Sequence, residues 1–336
     1  MLNNFSVSER KVAIIGAGFV GASIAYALTI RKLAREIVLI DIHEEKTIGE
    51  ALDIQHGIPD MGISSVRAGT YADCKDCDLI IITAGRNRKR GESRLDLIAG
   101  NSAILKDVVG HMKPYYTKGV IMIVSNPVDV LVYQCTKWMG LPNGMVFGTG
   151  CILDSSRFTR LIADYTHLNT EVVKATIVGE HGDAQIPIWS RASIAGVPLQ
   201  EYCENVGLKW DEEIRKEISD KVREMGATII KGKGRTHYGI ATCVCYLAEA
   251  VLNQRLTIAP VSTMFQGEYG IEDVCLSVPS IIGVNGVEKR LEERWAEEEF
   301  QAFRQAADKM KKVLNANRVI DICQQPCWQL PSTERN

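Results

Sequence analysis

The sequence predicts an α/β protein, a Rossmann-like doubly wound parallel sheet followed by a mixed α+β domain. Three observations carry that reading. Short β-branched runs alternate with helical stretches from Lys11 to about residue 150. A glycine-rich turn separates the first such run from the first helix. Beyond residue 150 the alternation stops, and strand-like runs mix with long amphipathic helices.

Taken in order, Lys11 to Ile15 reads as a strand, Phe19 to Leu33 as a helix and Glu36 to Asp41 as a second strand, together one βαβ unit of about 30 residues. Leu79 to Thr83 and Val120 to Ser125 read as further buried strands, separated by a helical stretch from Leu95 to Met112. In the second half Val172 to Val178, Thr257 to Val261 and Val274 to Ile282 read as strands, the last interrupted by Pro279. One amphipathic helix carries Ile214, Ile218, Val222, Met225 and Ile229 on a single face. Another runs from Val287 through Leu291, Trp295, Phe303 and Met310 to Leu314. The expected organisation is a dinucleotide-binding domain over 1–150, a substrate domain over 151–322 and a loose tail over 323–336, which holds Pro326 and Pro331.

Composition narrows the function. With 336 residues, 46% hydrophobic and 24% charged, the chain has room for two domains and a substantial core. A net charge of −2 offers no global attraction to nucleic acid or to an anionic membrane, so the expected partner is a small molecule. Met1 to Arg10 lacks a basic segment followed by an apolar one, and no run of 18 uncharged apolar residues occurs, so the expectation is a cytoplasmic protein without a membrane span. The ten cysteines are scattered and read as reduced packing thiols. Cys74-Lys75-Asp76-Cys77 could form half of a four-thiolate zinc site, but its nearest counterpart, Cys323 and Cys327, falls in the tail, and no metal is expected.

Gly16-Ala17-Gly18-Phe19-Val20-Gly21 is a GxGxxG placed between strand and helix. The first glycine makes the turn, the second lets a pyrophosphate approach backbone N–H groups, and the third permits close helix–strand packing. Asp41 closes the second strand 20 residues after Gly21, where a carboxylate can accept from a ribose hydroxyl and repel a 2′-phosphate. The pair points to NAD rather than NADP. Thr83-Ala84-Gly85 ends another strand at the same carboxyl edge.

Four segments carry the chemistry. From Gly85 to Arg94 there are five cations in ten residues, which suits a loop that covers an anion. Ser125-Asn126-Pro127-Val128-Asp129 puts an amide at a strand end. Asp154 and Arg157 stand three apart on one helical face. Gly179-Glu180-His181-Gly182-Asp183 offers a histidine beside flexible glycines after an apolar run.

In this order and spacing, over about residues 11 to 315, these motifs resemble the lactate/malate dehydrogenase family, which pairs GxGxxG with NPVD, an LDxxR helix and GEHGD. The resemblance implies that His181 is the general acid/base, that Asp154 holds its imidazole, and that Arg157 clamps the substrate carboxylate as a bidentate fork. It further implies that Arg94 polarises the reacting carbonyl, that Asn126 orients carbonyl and nicotinamide, and that Thr236 lines the pocket. Gly16, Gly18, Val20, Gly21, Asp41, Lys46, Tyr71 and Gly85 are its expected cofactor contacts, with Lys46 and Tyr71 on the adenosine side.

Most local wording follows the lactate branch, as in Ile186-Pro187-Ile188-Trp189-Ser190 and Gly234-Arg235-Thr236-His237-Tyr238. Six residues before Arg94, however, stands Arg88, where lactate enzymes carry Gln and malate enzymes carry Arg. A guanidinium buried against a methyl group lacks a partner, whereas a second carboxylate would pair with it. The expected substrate pair is therefore malate/oxaloacetate, with lactate/pyruvate as the alternative. Activation by fructose 1,6-bisphosphate in bacterial lactate enzymes uses an Arg and a His at positions that here hold Thr159 and Lys174, so that regulation is not expected. The family resemblance also implies a homodimer or homotetramer. Two competing readings are weighed: Tyr133 and Lys137 match the YxxxK of short-chain dehydrogenases, though the glycine pattern of that class is missing, and a silent NAD-binding protein would not need His181, Asp154, Arg94 and Arg157.

Overall fold

The computed structural model describes residues 10–60, 65–87 and 93–316. Its first half is β1 (Lys11–Ile15), α1 (Phe19–Ile30), β2 (Glu36–Ile40), α2 (Glu44–Gly57), β3 (Ser65–Ala68), β4 (Leu79–Ile82), α3 (Arg94–Met112), β5 (Val120–Ile123), α4 (Val128–Met139) and β6 (Val146–Gly148). The six strands pair in parallel in the order β3-β2-β1-β4-β5-β6. The chain leaves β1 toward one edge and returns through β4 on its other side, so the crevice above Ile15 and Ile82 is the switch point of the sheet.

Both faces of this sheet are covered, which is why its inner strands read as nearly unbroken apolar runs, while the edge strand β3 buries only Val66. Ala13, Ile15, Val38, Ile40, Ile80 and Ile82 point to one core, and Val12, Ile14, Ile37, Leu39, Leu79 and Ile81 to the other. The first helix stops at Ile30, short of Leu33, because Lys32 takes a left-handed φ of 54° and turns the chain toward β2.

The second half comprises α5 (Ile152–Thr166), β7 (Val173–Lys174), β8 (Ile177–Gly179), β9 (Gln185–Pro187), β10 (Ser193–Ile194), β11 (Val197–Pro198), α6 (Leu199–Val206), α7 (Glu212–Lys233), α8 (Tyr238–Leu252), β12 (Thr257–Gln266), β13 (Glu272–Gly283), β14 (Gly286–Arg290) and α9 (Glu297–Ala316). Strand β12 joins β6 through Ser262 and Gly148, and the sheet continues antiparallel through β13, β8 and β9. A third core, including Phe158, Ile162, Ile177, Ile218 and Val222, packs α5 against α7 and fixes the helix that carries Asp154 and Arg157.

Three expectations are corrected. Val172 to Val178 is not one strand: Val173–Lys174 pairs with β10 in a separate three-stranded sheet, while Ile177–Gly179 pairs with β13 and β9. Pro279 does not interrupt β13. Its carbonyl accepts from Leu291 N, so the side of the backbone lacking an N–H faces away from β12 and that ladder loses nothing at Pro279. Finally, Val287 lies in β14 and Leu291 just beyond it, and the last helix begins only at Glu297. The tail over 323–336 lies outside the described residues. No helix among the described residues is long and apolar enough to cross a membrane.

Candidate active site

The turn after β1 is shaped by what cannot fit there. Gly16 has φ +108°, and a Cβ on it would lie 2.6 Å from Ala84 N and Thr83 Oγ1, while a Cβ on Gly21 would lie 1.9 Å from the Gly16 carbonyl. Gly18 differs: it caps α1, and nothing lies within 4 Å of where its Cβ would be. The first turn of α1 holds no acidic residue and no side chain caps it, so its N–H groups and positive dipole end face open space. Phosphate oxygens fit there.

Beside this turn a cavity of about 590 Å³ is lined by Gly16, Gly18, Asp41, Lys46, Tyr71 and Gly85. Asp41 accepts from Ala17 N at 2.7 Å and His43 N at 3.0 Å, which holds its carboxylate at the cavity wall with lone pairs to spare for a diol. Lys46 Nζ donates to Ala17 O at 3.1 Å. Tyr71 stacks on His111 at 5.4 Å, and burial pushes its phenol up to about 12, so it stays neutral. The described residues thus fit a dinucleotide without a 2′-phosphate.

A second cavity, about 310 Å³, shares Thr83 and Gly85 with the first and is lined by Val20, Asn126, Arg157, His181 and Thr236. Leu153, Ile230, Ile240 and Val124 give it apolar walls. His181 follows β8 and Asp154 lies in the first turn of α5, and the two meet through Nδ1 and Oδ2 at 2.6 Å. A carboxylate can only accept, so the proton sits on Nδ1 and Nε2 is left to exchange one with a bound molecule. The other oxygen of Asp154 takes Arg157 at 3.2 Å.

Asp154 is 3% exposed. Burial alone would raise its pKa, but the His181 and Arg157 charges outweigh it and hold the carboxyl below its usual value. For His181 burial would favour the neutral ring, yet the Asp154 charge and hydrogen bond, with Asp129 behind, lift its pKa above the ordinary value. The site therefore holds an imidazole biased toward the cation, next to a guanidinium that is only 13% exposed on its side chain.

The structure brings His181, Arg157, Asn126 and Thr236 to one cavity, with Asp154 bonded to the first two behind its wall, and Asp41, Lys46 and Tyr71 to the neighbouring cavity. Gly21 lines neither and serves helix packing. Arg94 opens α3 behind the cap Ser93, while its side chain and Arg88 lie outside the described residues. Thr159 and Lys174 line a separate cavity with Tyr246 and Cys243. Tyr133 donates to Asp273, which also pairs with Lys137, and neither borders the cavity of His181. Cys74 and Cys77 are free and buried, with their thiols pushed up to about 12 by burial.

Sequence reasoning missed Asn101. Buried in α3, it accepts from Arg86 N at 2.9 Å and donates to the carbonyls of Arg86 and Asn126 at 3.1 and 2.6 Å, tying the end of β4 to the turn that presents Asn126. It also gave no role to Asp129 or Ser262. The NPVD motif pointed at the first, and nothing in the sequence marks the second.

Two family profiles match the chain: "lactate/malate dehydrogenase, NAD binding domain" over residues 10–148 and "lactate/malate dehydrogenase, alpha/beta C-terminal domain" over 151–318. An L-lactate dehydrogenase of Acetivibrio thermocellus is 39% identical over 313 residues, 93% of this chain and 98% of its own length. One of Thermoanaerobacterium saccharolyticum is 43% identical over 304 residues, covering 90% and 98%. Among solved structures, the minor L-lactate dehydrogenase from Enterococcus mundtii in a ligand-bound form superposes with a TM-score of 0.88 at 39% identity, covering 92% of this chain and 98% of that one. The chain therefore belongs to the lactate/malate dehydrogenase family and is an NAD-dependent L-2-hydroxy-acid dehydrogenase.

Proposed function

We propose that the protein interconverts pyruvate and L-lactate. The observation that carries this is the cluster of His181, Asp154 and Arg157 opening on a small cavity continuous with the dinucleotide groove, together with relatives at about 40% identity that are named L-lactate dehydrogenases. Those names shift the weight from malate, which rested on Arg88 alone.

Bound NADH would supply the hydride. In keto-acid reduction the protonated His181 gives the Nε2 proton to the carbonyl oxygen as negative charge develops there, and Asp154 stabilises the cation until it does. In the reverse direction the neutral ring takes the proton back. Arg157 grips the substrate carboxylate through two parallel N–H bonds, and Arg94 supplies positive charge to the carbonyl. Asn126, held by Asn101, orients the carbonyl, and Thr236 closes the pocket.

Arg88 favours a second reading, oxaloacetate reduction, because a second carboxylate would pair with its guanidinium. Steady-state turnover with NADH separates the two. On the pyruvate reading kcat/KM for pyruvate exceeds that for oxaloacetate by about tenfold or more, and Arg88→Gln widens the gap. A preference for oxaloacetate that Arg88→Gln abolishes would overturn it in favour of malate.

A further inference from the structure

Asp129 lies in the first turn of α4 and is 2% exposed. Its Oδ2 accepts from the backbone N–H of His181 at 2.9 Å, and its Oδ1 accepts from the hydroxyl of Ser262, in β12, at 2.6 Å. One carboxylate thus joins α4, the loop after β8 and β12 directly behind the imidazole. A neutral amide could bond both groups, its oxygen taking the His181 N–H and its NH2 donating to Ser262, without the cost of burying a charge. The α4 N-terminus offsets part of that cost, but it does not explain why a charge stands against His181.

We infer that Asp129 is a positioning residue that acts through His181, fixing its backbone and supplying a second negative charge that favours the protonated ring. This rests on His181 being the acid/base of the proposed reaction. Several charged groups surround that residue. From α5, Asp154 bonds to the ring and Arg157 opposes its protonation. Glu180 and Asp183 flank it on its own loop, Asp129 approaches from α4, and Ser262 of β12 is neutral. The charges of Asp154 and Asp129 act in the same direction, raising the His181 pKa, and that of Arg157 lowers it.

The test is the pH dependence of kcat/KM for keto-acid reduction in Asp129→Asn, which removes the charge but keeps the shape: the amide oxygen takes the His181 N–H, and the Ser262 hydroxyl rotates to accept from the amide nitrogen. The limb on which reduction dies with rising pH should move down by about one unit, with KM for NADH unchanged. A purely structural role would lower kcat at every pH and leave the limb in place, and that result would overturn the inference. If Asp129→Asn does not fold, Ser262→Ala decides. Losing the hydroxyl donor leaves the carboxylate charge less compensated, so the limb should move up, and an unmoved limb again overturns the inference. His181→Asn keeps the two failures apart. If that variant turns over like wild type, the acid/base assignment has failed; if it is inactive while the limb stays put in Asp129→Asn, only the role of Asp129 has.

Discussion

At the residue scale the site works because each charged group is held by a neighbour that leaves its reactive atom free. Asp154 occupies Nδ1 of His181 and one N–H of Arg157, which leaves Nε2 and the remaining guanidinium donors for the substrate on the proposed reading. A lysine at 157 would keep the charge but not the fork. Arg157→Lys should therefore raise KM for the keto acid by about 10- to 100-fold, the equivalent of one charged hydrogen bond, with NADH affinity unchanged by fluorescence titration. An unchanged KM would remove Arg157 from the carboxylate site. Asp154 and Arg157 were legible because they stand three apart on one helical face, and His181 because it sits in a GEHGD motif that the family resemblance picks out, although it meets Asp154 across 27 residues. Asn101 and Ser262 were not, since neither belongs to a motif and each matters only through hydrogen bonds that the fold makes, Asn101 to Arg86 and Asn126 and Ser262 to Asp129.

At the element scale, the turn between β1 and α1 separates two uses of glycine. Gly21→Ala would drive a methyl into the Gly16 carbonyl and should lower Tm by about 5 °C or more. Gly18→Ala meets open space and should leave Tm unchanged, yet it should weaken NADH binding by about tenfold by filling the room left for phosphate. Thermal melts beside NADH titrations check both, and a Gly18→Ala protein that binds NADH normally would contradict the phosphate assignment. Strands β1, β2, β4 and β5 were readable to within two residues, because burial on both faces leaves apolar, mostly β-branched side chains from Val12 to Ile15 or Leu79 to Ile82. The half-exposed β3 and the three-residue β6 carry too little of that pattern and were not read. Val172 to Val178 was misread because a strand that passes from one sheet to another keeps the composition of a single strand. Val287 and Leu291 misled for another reason: a separation of four places side chains on one face of a strand as well as of a helix.

At the scale of the whole molecule, the cavity exists only because the sheet continues from parallel to antiparallel. Strand β6 pairs with β12 at Ser262, β12 with β13, and β13 with β8, so the sheet carries His181 back to the carboxyl edge above Ile15 and Ile82. Helices α4 and α5, which precede and follow β6 in the chain, supply Asp129 and Asp154, and Thr236, between α7 and α8, lines the cavity. The sequence carried the parts of this arrangement in order, while the path of the second half of the sheet was visible only in the fold. The central claim is that one imidazole, lifted above its ordinary pKa by acidic neighbours, moves the proton in both directions. The direct measurement is kcat/KM against pH for pyruvate reduction and for lactate oxidation, in wild type and His181→Asn. Reduction needs the cation, so it should fall as pH rises through the His181 pKa. Oxidation needs the neutral ring and should fall as pH drops through the same value, and His181→Asn should erase both limbs with a loss of about 10³-fold in rate. Limbs that do not mirror each other, or a His181→Asn enzyme that keeps its rate, would contradict the account.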